Sequence, residues 1–327
     1  MAQSKVYVSR KIPEKGEALL RAAPDIAYDV WPERMPPSPD VLQSKVAGMD
    51  GIYCLLTDRI DEDLLSAAGP QLKVISQMAV GVDNIDVDAC TRHGIPVGHT
   101  PGVLTEATAD LAMALLLATA RQIVHSAEAV KKGEWRTWEP LGFTGPNVYG
   151  STVGILGMGR IGMAVAKRLQ GFDVRLLYHN RSPRPDDGAV NATYVDLDTL
   201  LSESDFVILL TALTPETEHM MNGTRFKQMK NSATLINVSR GGVVDQDALI
   251  AALRDGEIAY AGLDVTTPEP LPADSPLLAL PNVTVLPHIG SASIPARERM
   301  AEMASQNLIA GVRGERLPHV INPEVYG

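Results

Sequence analysis

Short apolar segments alternate with helical patterns along the first hundred residues of the chain. Three of these segments, residues 6–8, 51–56 and 74–78, are candidate strands. Residues 14–23 and 61–68 are typical of helices, and acidic residues lie early in the second one, as a helix start prefers. This alternation of strand and helix predicts a parallel sheet with helices on both faces.

A second alternating series begins near Gly150. It contains six short apolar segments with helical patterns between them, at residues 152–156, 174–178, 206–211, 234–238, 260–265 and 283–286. Such a series predicts a doubly wound sheet. Between the two series, residues 106–132 predict one long helix that carries the chain from one domain to the other. Residues 297–311 predict a final helix that returns to the first domain.

Composition narrows the classes of partner and site. The formal net charge of −10 repels nucleic acid and anionic membranes, so neither is an expected partner. The two cysteines, Cys54 and Cys90, form no metal-binding pair or disulfide framework; we expect no metal site, a reducing compartment and two buried thiols. The longest apolar segment, residues 111–120, is half the length of about twenty residues that a bilayer span needs, so we expect a cytoplasmic protein.

A glycine-rich loop follows the first strand of the second series. The chain reads Gly157-Met158-Gly159-Arg160-Ile161-Gly162 between that strand and the next helix. The first glycine allows a tight turn, the second lets the backbone approach a pyrophosphate, and the third lets helix and strand pack closely. The pattern alone is a weak signal, but its strand and helix neighbours meet the structural requirement. We therefore predict a dinucleotide site.

The next strand ends without the acidic residue that an NAD site uses to bind the ribose hydroxyls. In its place the chain reads His179-Asn180-Arg181-Ser182-Pro183-Arg184. Arginine binds a 2′-phosphate through paired charged hydrogen bonds, whereas a carboxylate repels it. We expect NADP(H) rather than NAD(H), bound by Asn180, Arg181, Ser182 and Arg184. The alternative is a solvated basic loop.

These patterns predict an α/β protein with two Rossmann-like doubly wound parallel-sheet domains and a cleft between them. We expect a discontinuous substrate domain at residues 1–102 and 290–327 and a dinucleotide-binding domain at residues 103–289. A length of 327 residues agrees with two domains, because a single core stops growing near about 250–300 residues.

Charged side chains follow several strands of the second series. Arg240, Asp264 and His288 each come just after an apolar strand, and Glu269 follows soon after Asp264. In an open parallel sheet the carboxyl ends of the strands line the ligand crevice. We therefore expect these four side chains to converge near the nicotinamide.

The same residues carry a family resemblance, which extends from about residue 6 to about residue 318. The chain resembles the D-isomer-specific 2-hydroxyacid dehydrogenases, and among them the glyoxylate/hydroxypyruvate reductases most closely. Arg240, Glu269 and His288 match the arginine, glutamate and histidine of that family in order. Residues 157–162 match its coenzyme loop, and Met78-Ala79-Val80-Gly81-Val82-Asp83 matches its substrate-carboxylate loop.

The resemblance implies NADPH-dependent reduction of small 2-oxo acids such as glyoxylate and hydroxypyruvate to D-2-hydroxy acids. Arg240 would orient the substrate and polarise its ketone, His288 would donate the proton, and Glu269 would favour the imidazolium form of His288. The implied substrate-binding residues are Val80, Gly81, Arg240, His288 and Ser291. The implied cofactor-binding residues are Thr105, Gly157, Gly159, Arg160, Ile161, Gly162, Asn180, Arg181, Ser182, Arg184, Ala212, Leu213, Pro215, Val238, Asp264 and Gly290. For Thr105, an ordinary helix N-cap is an equal alternative.

The family resemblance also implies a dimer joined through the region of Trp135 and Trp138, so we expect a homodimer.

Two other functions stay open. A phosphoglycerate dehydrogenase would share the catalytic residues but needs a cationic pocket for the substrate phosphate and NAD specificity. A dinucleotide-sensing protein like certain transcriptional corepressors would bind the cofactor without efficient turnover; the long polar tails for partner binding are absent here.

Overall fold

The computed structural model describes residues 3–327, and the chain divides into two compact units. One unit consists of the residues up to Leu104 together with Ala292–Gly327, and the other consists of Thr105–Ser291. The expected boundaries, after residues 102 and 289, lie two residues from these positions.

The first unit contains a five-stranded parallel sheet in the order β2-β1-β3-β4-β5. Its strands are β1 (Ser4–Val8), β2 (Ile26–Val30), β3 (Gly51–Cys54), β4 (Val74–Gln77) and β5 (Val97–Gly98). Its first helices are α1 (Glu14–Arg21), α2 (Pro39–Val46), α3 (Glu62–Ala68) and α4 (Val87–Arg92). The apolar pattern identified β1, β3 and β4 but missed the edge strands: only the first residue of β2 is buried, and β5 has only two residues.

The second unit contains a seven-stranded parallel sheet in the order β12-β11-β10-β9-β6-β7-β8. Its strands are β6 (Thr152–Leu156), β7 (Arg175–His179), β8 (Ala192–Tyr194), β9 (Phe206–Leu209), β10 (Thr234–Asn237), β11 (Tyr260–Leu263) and β12 (Val283–Val285). Its helices are α5 (Thr105–Ala120), α6 (Ile123–Lys131), α7 (Arg160–Leu169), α8 (Leu197–Glu203), α9 (Gly223–Gln228) and α10 (Gln246–Arg254). The prediction of parallel-sheet α/β domains is confirmed in both units.

The strand order in this sheet reverses between β6 and β9. In doubly wound sheets, ligands bind at the carboxyl ends of the strands on either side of such a reversal. Helices α5 and α7 cover one face of the sheet with buried side chains such as Leu116 and Val165. Helices α8, α9 and α10 cover the other face with side chains such as Leu200 and Phe226. Both faces are therefore closed, and the carboxyl edge carries the loops.

The predicted single helix at residues 106–132 is wrong, because α5 and α6 are separate helices bent by 61°. Gln122 has a φ of 48°, in the left-handed region, and its side-chain amide donates to the carbonyl of Thr144 at 2.7 Å. A Cβ on Gly145 would lie 2.0 Å from the carbonyl oxygen of Ala120, so the following chain packs against the end of α5. Among residues 3–327 no single helix is long and apolar enough to cross a membrane; this bent pair passes a test of length and composition only when its two helices are combined.

Helix α11 (Ile294–Val312) follows the second unit in sequence and packs on the sheet of the first. Along it, Met300, Ala304 and Leu308 are buried, and Gly311 lies so close to Val74 that an added Cβ would be 2.4 Å from the valine side chain. The last part of the chain therefore completes the core of the first unit.

Candidate active site

The glycine loop after β6 has the local geometry of a phosphate site. Gly157 has a φ of +98°, and a Cβ there would lie 2.5 Å from the amide nitrogen of Thr211, two residues beyond the end of β9. A Cβ on Gly162 would lie 2.6 Å from the carbonyl oxygen of Gly157. A Cβ on Gly159 would meet nothing within 4 Å, so open space lies before the start of α7. Packing thus requires glycine at positions 157 and 162, while Gly159 leaves room for a pyrophosphate at a helix N-terminus.

The segment after β7 fastens the glycine loop at Met158. The Oδ1 atom of Asn180 accepts the N–H of Met158 at 2.7 Å, and Nη1 of Arg184 donates to its carbonyl oxygen at 3.0 Å. The remaining edge of the Arg184 guanidinium donates to both carboxylate oxygens of Asp186, at 2.7 and 2.8 Å, and this lowers the pKa of Asp186. Asn180 and Arg184, two of the expected cofactor residues, therefore both bond the backbone of the glycine loop.

A cavity of about 610 Å³ lies between the glycine loop and the segments after β7 and β9. Arg181 and Ser182 line it and are exposed, and Ala212 lines the opposite side. Glu216 also faces this cavity; its pKa is lowered mainly by a hydrogen bond from Thr214 and further by the charge of Arg181. Leu213 and Pro215, two other expected cofactor residues, are not among the lining residues, and Leu213 packs against the core.

The turn after β10 presents Arg240. Buried Asn237 organises this turn: its Nδ2 donates to the carbonyl of Arg240 at 3.0 Å, and its Oδ1 accepts the N–H of Ser239 at 3.0 Å. A Cβ on Gly241 would lie 1.9 Å from the carbonyl oxygen of Thr266, so the chain can turn here only with glycine. Arg240 is half-buried, and its Nη1 donates to the carbonyl of Ser239 at 2.9 Å. The role of Asn237 is not predicted from the sequence, where its one signal is a polar residue at the end of an apolar strand.

Asp264, after β11, holds the segment that carries His288. The Asp264 side chain is buried, its Oδ1 accepts the N–H of Ile289 at 2.7 Å, and its Oδ2 accepts the N–H of Gly290 at 2.8 Å. Its backbone carbonyl accepts the N–H of His288 at 2.9 Å. Burial raises the pKa of Asp264, and the two backbone hydrogen bonds to its side chain oppose that shift. The three contacts fix the backbone of residues 288–290.

His288 and Glu269 form a hydrogen-bonded pair at the carboxyl edge of the same sheet whose strand β10 precedes Arg240. Nδ1 of His288 lies 2.8 Å from Oε1 of Glu269, and both side chains are partly exposed. His288 has a φ of 54°, a left-handed conformation that costs a non-glycine residue about 1–3 kcal/mol. The Asp264 contacts oppose that cost. Since Nδ1 bonds the carboxylate, Nε2 is the ring nitrogen on which an imidazolium would carry a transferable proton.

Comparison with known proteins decides the family. The model of the D-isomer specific 2-hydroxyacid dehydrogenase NAD binding domain matches residues 113–290. A glyoxylate reductase/hydroxypyruvate reductase of Homo sapiens is 48% identical over 316 residues, 96% of each chain. A glyoxylate reductase of Korarchaeum cryptofilum is 49% identical over 323 residues, 98% of this chain and 96% of its own. The chain belongs to the D-isomer specific 2-hydroxyacid dehydrogenase family.

A solved structure agrees with this membership. The NADPH-dependent glyoxylate/hydroxypyruvate reductase of Sinorhizobium meliloti, in complex with NADP and malonate, has a TM-score of 0.84 and 32% identity, with 98% of each chain covered. The chain is thus a D-2-hydroxyacid dehydrogenase, and its cofactor is a nicotinamide dinucleotide. The glycine loop fits such a cofactor, given the open space at Gly159.

The other expected site residues of this dehydrogenase have clear positions in their own units. Thr105 begins α5, and Gly290 is buried with Thr108 close to the position of its missing Cβ. Ser291 is half-buried at the end of the second unit. Val238 is buried directly after β10, and Arg160 and Ile161 form the first turn of α7.

Val80 and Gly81 lie in the loop after β4 of the first unit, with Val80 exposed.

Cys54 and Cys90 are both free and buried. Across the part of the chain that the structure describes, no group of three or more histidine, cysteine or acidic residues is placed to hold a metal ion.

Proposed function

We propose that the chain is an NADPH-dependent reductase that converts glyoxylate to glycolate and hydroxypyruvate to D-glycerate. The observation that carries this proposal is the 2.8 Å contact between Nδ1 of His288 and Oε1 of Glu269, at the carboxyl edge of a dinucleotide-binding sheet. Relatives support the proposal as well, because the chain is 48% and 49% identical to two glyoxylate reductases over nearly its whole length.

The residues of the second unit would act on the 2-oxo carbonyl group, which is an aldehyde in glyoxylate and a ketone in hydroxypyruvate. A dihydronicotinamide, when bound at the glycine loop, would supply the hydride to the carbonyl carbon. Arg240 polarises the carbonyl and stabilises the negative charge that develops on its oxygen. His288 then gives the proton on Nε2 to that oxygen, and Glu269 stabilises the imidazolium before the transfer. A general acid of this kind typically contributes about 10²–10⁴-fold to the rate.

The loop after β4 would bind the substrate carboxylate. The backbone N–H groups of Val80 and Gly81 can bind an anion without adding a charged side chain. A carboxylate next to the reacting carbonyl is the feature shared by glyoxylate and hydroxypyruvate, so this loop would select 2-oxo acids over simple aldehydes and ketones.

The basic segment after β7 would select NADPH. Arg181 and Ser182 are exposed on the 610 Å³ cavity, whereas Arg184 is bonded to Met158 and Asp186. Arg181 is therefore our candidate for the direct ligand of the 2′-phosphate, with Ser182 beside it. Arg184 would act on binding of either dinucleotide, because it fastens the glycine loop.

The different roles proposed for Arg181 and Arg184 can be tested with the two cofactors. We expect the wild-type kcat/KM to be at least about tenfold higher with NADPH than with NADH. Loss of a charged hydrogen bond costs about 1.5–3 kcal/mol, so Arg181→Ala should lower kcat/KM about tenfold or more with NADPH and little with NADH. Arg184→Ala should lower both. Arg175→Ala removes an exposed arginine paired with Glu203 and serves as the control. A wild-type preference for NADH would contradict the proposed cofactor.

A substrate panel tests the reaction itself. The loss of NADPH absorbance is followed with glyoxylate, hydroxypyruvate and phosphohydroxypyruvate. We expect the first two to be reduced efficiently. A preference for phosphohydroxypyruvate would indicate a phosphoglycerate dehydrogenase instead, and tight NADPH binding with no turnover of any 2-oxo acid would indicate a dinucleotide sensor.

An apolar surface supports the proposal of a homodimer. Trp135, Trp138 and Leu141 are 61%, 80% and 88% exposed, and Ile123 and Val130 of α6 are each 53% exposed. Large apolar side chains that are this exposed within one short stretch of the chain, residues 123–141, are typical of an interface. We expect sedimentation at micromolar concentration to give twice the mass of one 35.1 kDa chain. A monomer would contradict this assignment.

A further inference from the structure

Two successive carbonyl groups in the loop after β4 are held by neighbouring residues of the same unit. The carbonyl of Ala79 accepts the N–H of Thr100 at 2.8 Å. The carbonyl of Val80 lies 3.2 Å from Nδ1 of His99, and since a carbonyl can only accept, the imidazole donates. Both anchors come from the chain directly after β5.

These two contacts determine where the next two N–H groups point. A peptide group is planar and trans, so its C=O and N–H point in opposite directions. The N–H of Val80 is therefore directed away from Thr100, and the N–H of Gly81 is directed away from His99. Neither N–H has a hydrogen-bond acceptor within residues 3–327. Successive N–H groups of this kind form an anion-binding concavity.

The backbone of His99 is itself immobilised. Its N–H donates to the carbonyl of His319 at 3.1 Å, and its carbonyl accepts Nδ2 of Asn307 at 3.0 Å. Asn307 is fully buried in α11, and a Cβ on Gly98 would lie 2.8 Å from the Cβ of Asn307. The imidazole therefore projects from a backbone that is bonded on both sides.

A buried amide supports the next peptide of the loop. Nε2 of Gln77 donates to the carbonyl of Gly81 at 3.2 Å and to Oδ1 of Asn84 at 2.5 Å. Asn84 in turn donates to the carbonyl of Asp58 at 2.7 Å. The carbonyls of three successive loop residues are thus all bonded, and His99 is the partly exposed side chain among their donors.

We propose that His99 is a positioning residue for substrate binding: its Nδ1–H holds the Val80–Gly81 peptide so that the Gly81 N–H points to the carboxylate of the 2-oxo acid. This rests on the proposed function of the loop. His99 does not touch the substrate in this account, and it acts on KM rather than on the chemical step.

The experiment compares three variants. His99→Ala removes the donor, whereas His99→Asn places an amide N–H at the position of Nδ1. His93→Ala removes an exposed histidine of the same unit that bonds Glu62 and serves as the control. Steady-state kinetics give KM for glyoxylate, kcat and KM for NADPH. Calorimetric titration of each NADPH-loaded protein with oxalate gives a Kd for a carboxylate without turnover.

The expected result is selective. Loss of one neutral hydrogen bond corresponds to about a two- to tenfold effect, so KM for glyoxylate and Kd for oxalate should both rise about fivefold in His99→Ala. His99→Asn should recover most of that loss. The kcat, the KM for NADPH and the Tm should stay near wild type in both variants, and His93→Ala should change nothing.

The outcomes separate this inference from the proposed function. If wild type reduces glyoxylate but His99→Ala leaves its KM and the oxalate Kd unchanged, the role of His99 is wrong and the function stands. If wild type fails to reduce glyoxylate yet binds oxalate through His99, the function is wrong and the role stands. If wild type neither reduces glyoxylate nor binds oxalate, both are wrong. An equal loss in His99→Asn and His99→Ala would also overturn the donor role.

Discussion

The substitution Asp264→Asn tests whether Asp264 positions His288 for catalysis in addition to stabilising the fold. The Asp264 carboxylate is 1% exposed and accepts two backbone N–H groups at 2.7 and 2.8 Å. An asparagine has one acceptor oxygen, so its amide group would face the N–H of either Ile289 or Gly290, donor against donor. Losing one charged hydrogen bond and leaving that buried N–H unpaired costs about 2 kcal/mol. For a domain of about 150–250 residues this lowers Tm by roughly 4–8 °C.

The same substitution should reduce catalysis further than its effect on stability explains. The segment after Asp264 holds His288 at a φ of 54°, and a displacement of about 1 Å in an active site can cost about 10²-fold in rate. We expect kcat for glyoxylate to fall about 10–100-fold at a temperature where the variant is fully folded. Asp255→Asn changes an exposed aspartate paired with Arg254 and is the control. A Tm within 1 °C of wild type together with an unchanged kcat would refute this reasoning.

Three further predictions follow from single contacts. Glu269→Gln keeps the size of the side chain but removes the charge beside the imidazole, so kcat should fall about tenfold with an unchanged KM for NADPH in steady-state assays; an unaltered kcat would remove Glu269 from its role. Gly159→Ala adds a methyl group to open space, so fluorescence titration should show weaker NADPH binding while the Tm stays unchanged. Gly157→Ala, at a φ of +98° and with a contact of 2.5 Å, should lower both the NADPH affinity and the Tm. Equal effects of the two substitutions on the Tm would contradict the packing argument. The hydrogen bond from Arg313 holds the pKa of Asp25 at about 2, below its usual 3.8, so the pair stabilises the fold at pH values above 3.8. The difference in unfolding free energy between wild type and Asp25→Asn should therefore shrink as the pH falls from 3.8 toward 2. A difference that grows over this pH range would contradict the assigned sign.

Local chemistry explains why much of the site was predictable from the sequence. The glycine loop has a fixed spacing, and its strand and helix neighbours are adjacent in the chain. Arg240 and His288 each follow a short apolar strand, and parallel sheets gather such ends along one edge. The hydrogen bond between His288 and Glu269 is consistent with the assigned pairing, although their catalytic roles stay predictions.

The features that sequence reasoning missed depend on contacts between distant or exposed residues. The bond from Gln122 to Thr144, which accompanies the break between α5 and α6, has no signal in the apolar pattern. Strand β8 is short and largely exposed, so it shows no apolar alternation. The pairing of Arg184 with Asp186 depends on loop conformation, and so our expectation that both arginines bind the cofactor phosphate did not anticipate it.

The account depends most directly on the imidazole of His288 as the proton donor. The decisive measurement is kcat for glyoxylate reduction with saturating NADPH in wild type and His288→Ala, with NADPH affinity and Tm measured on both proteins. We predict a loss of about 10²–10⁴-fold in kcat with unchanged NADPH binding and stability. A His288→Ala protein that binds NADPH normally and turns over within threefold of wild type would contradict the account.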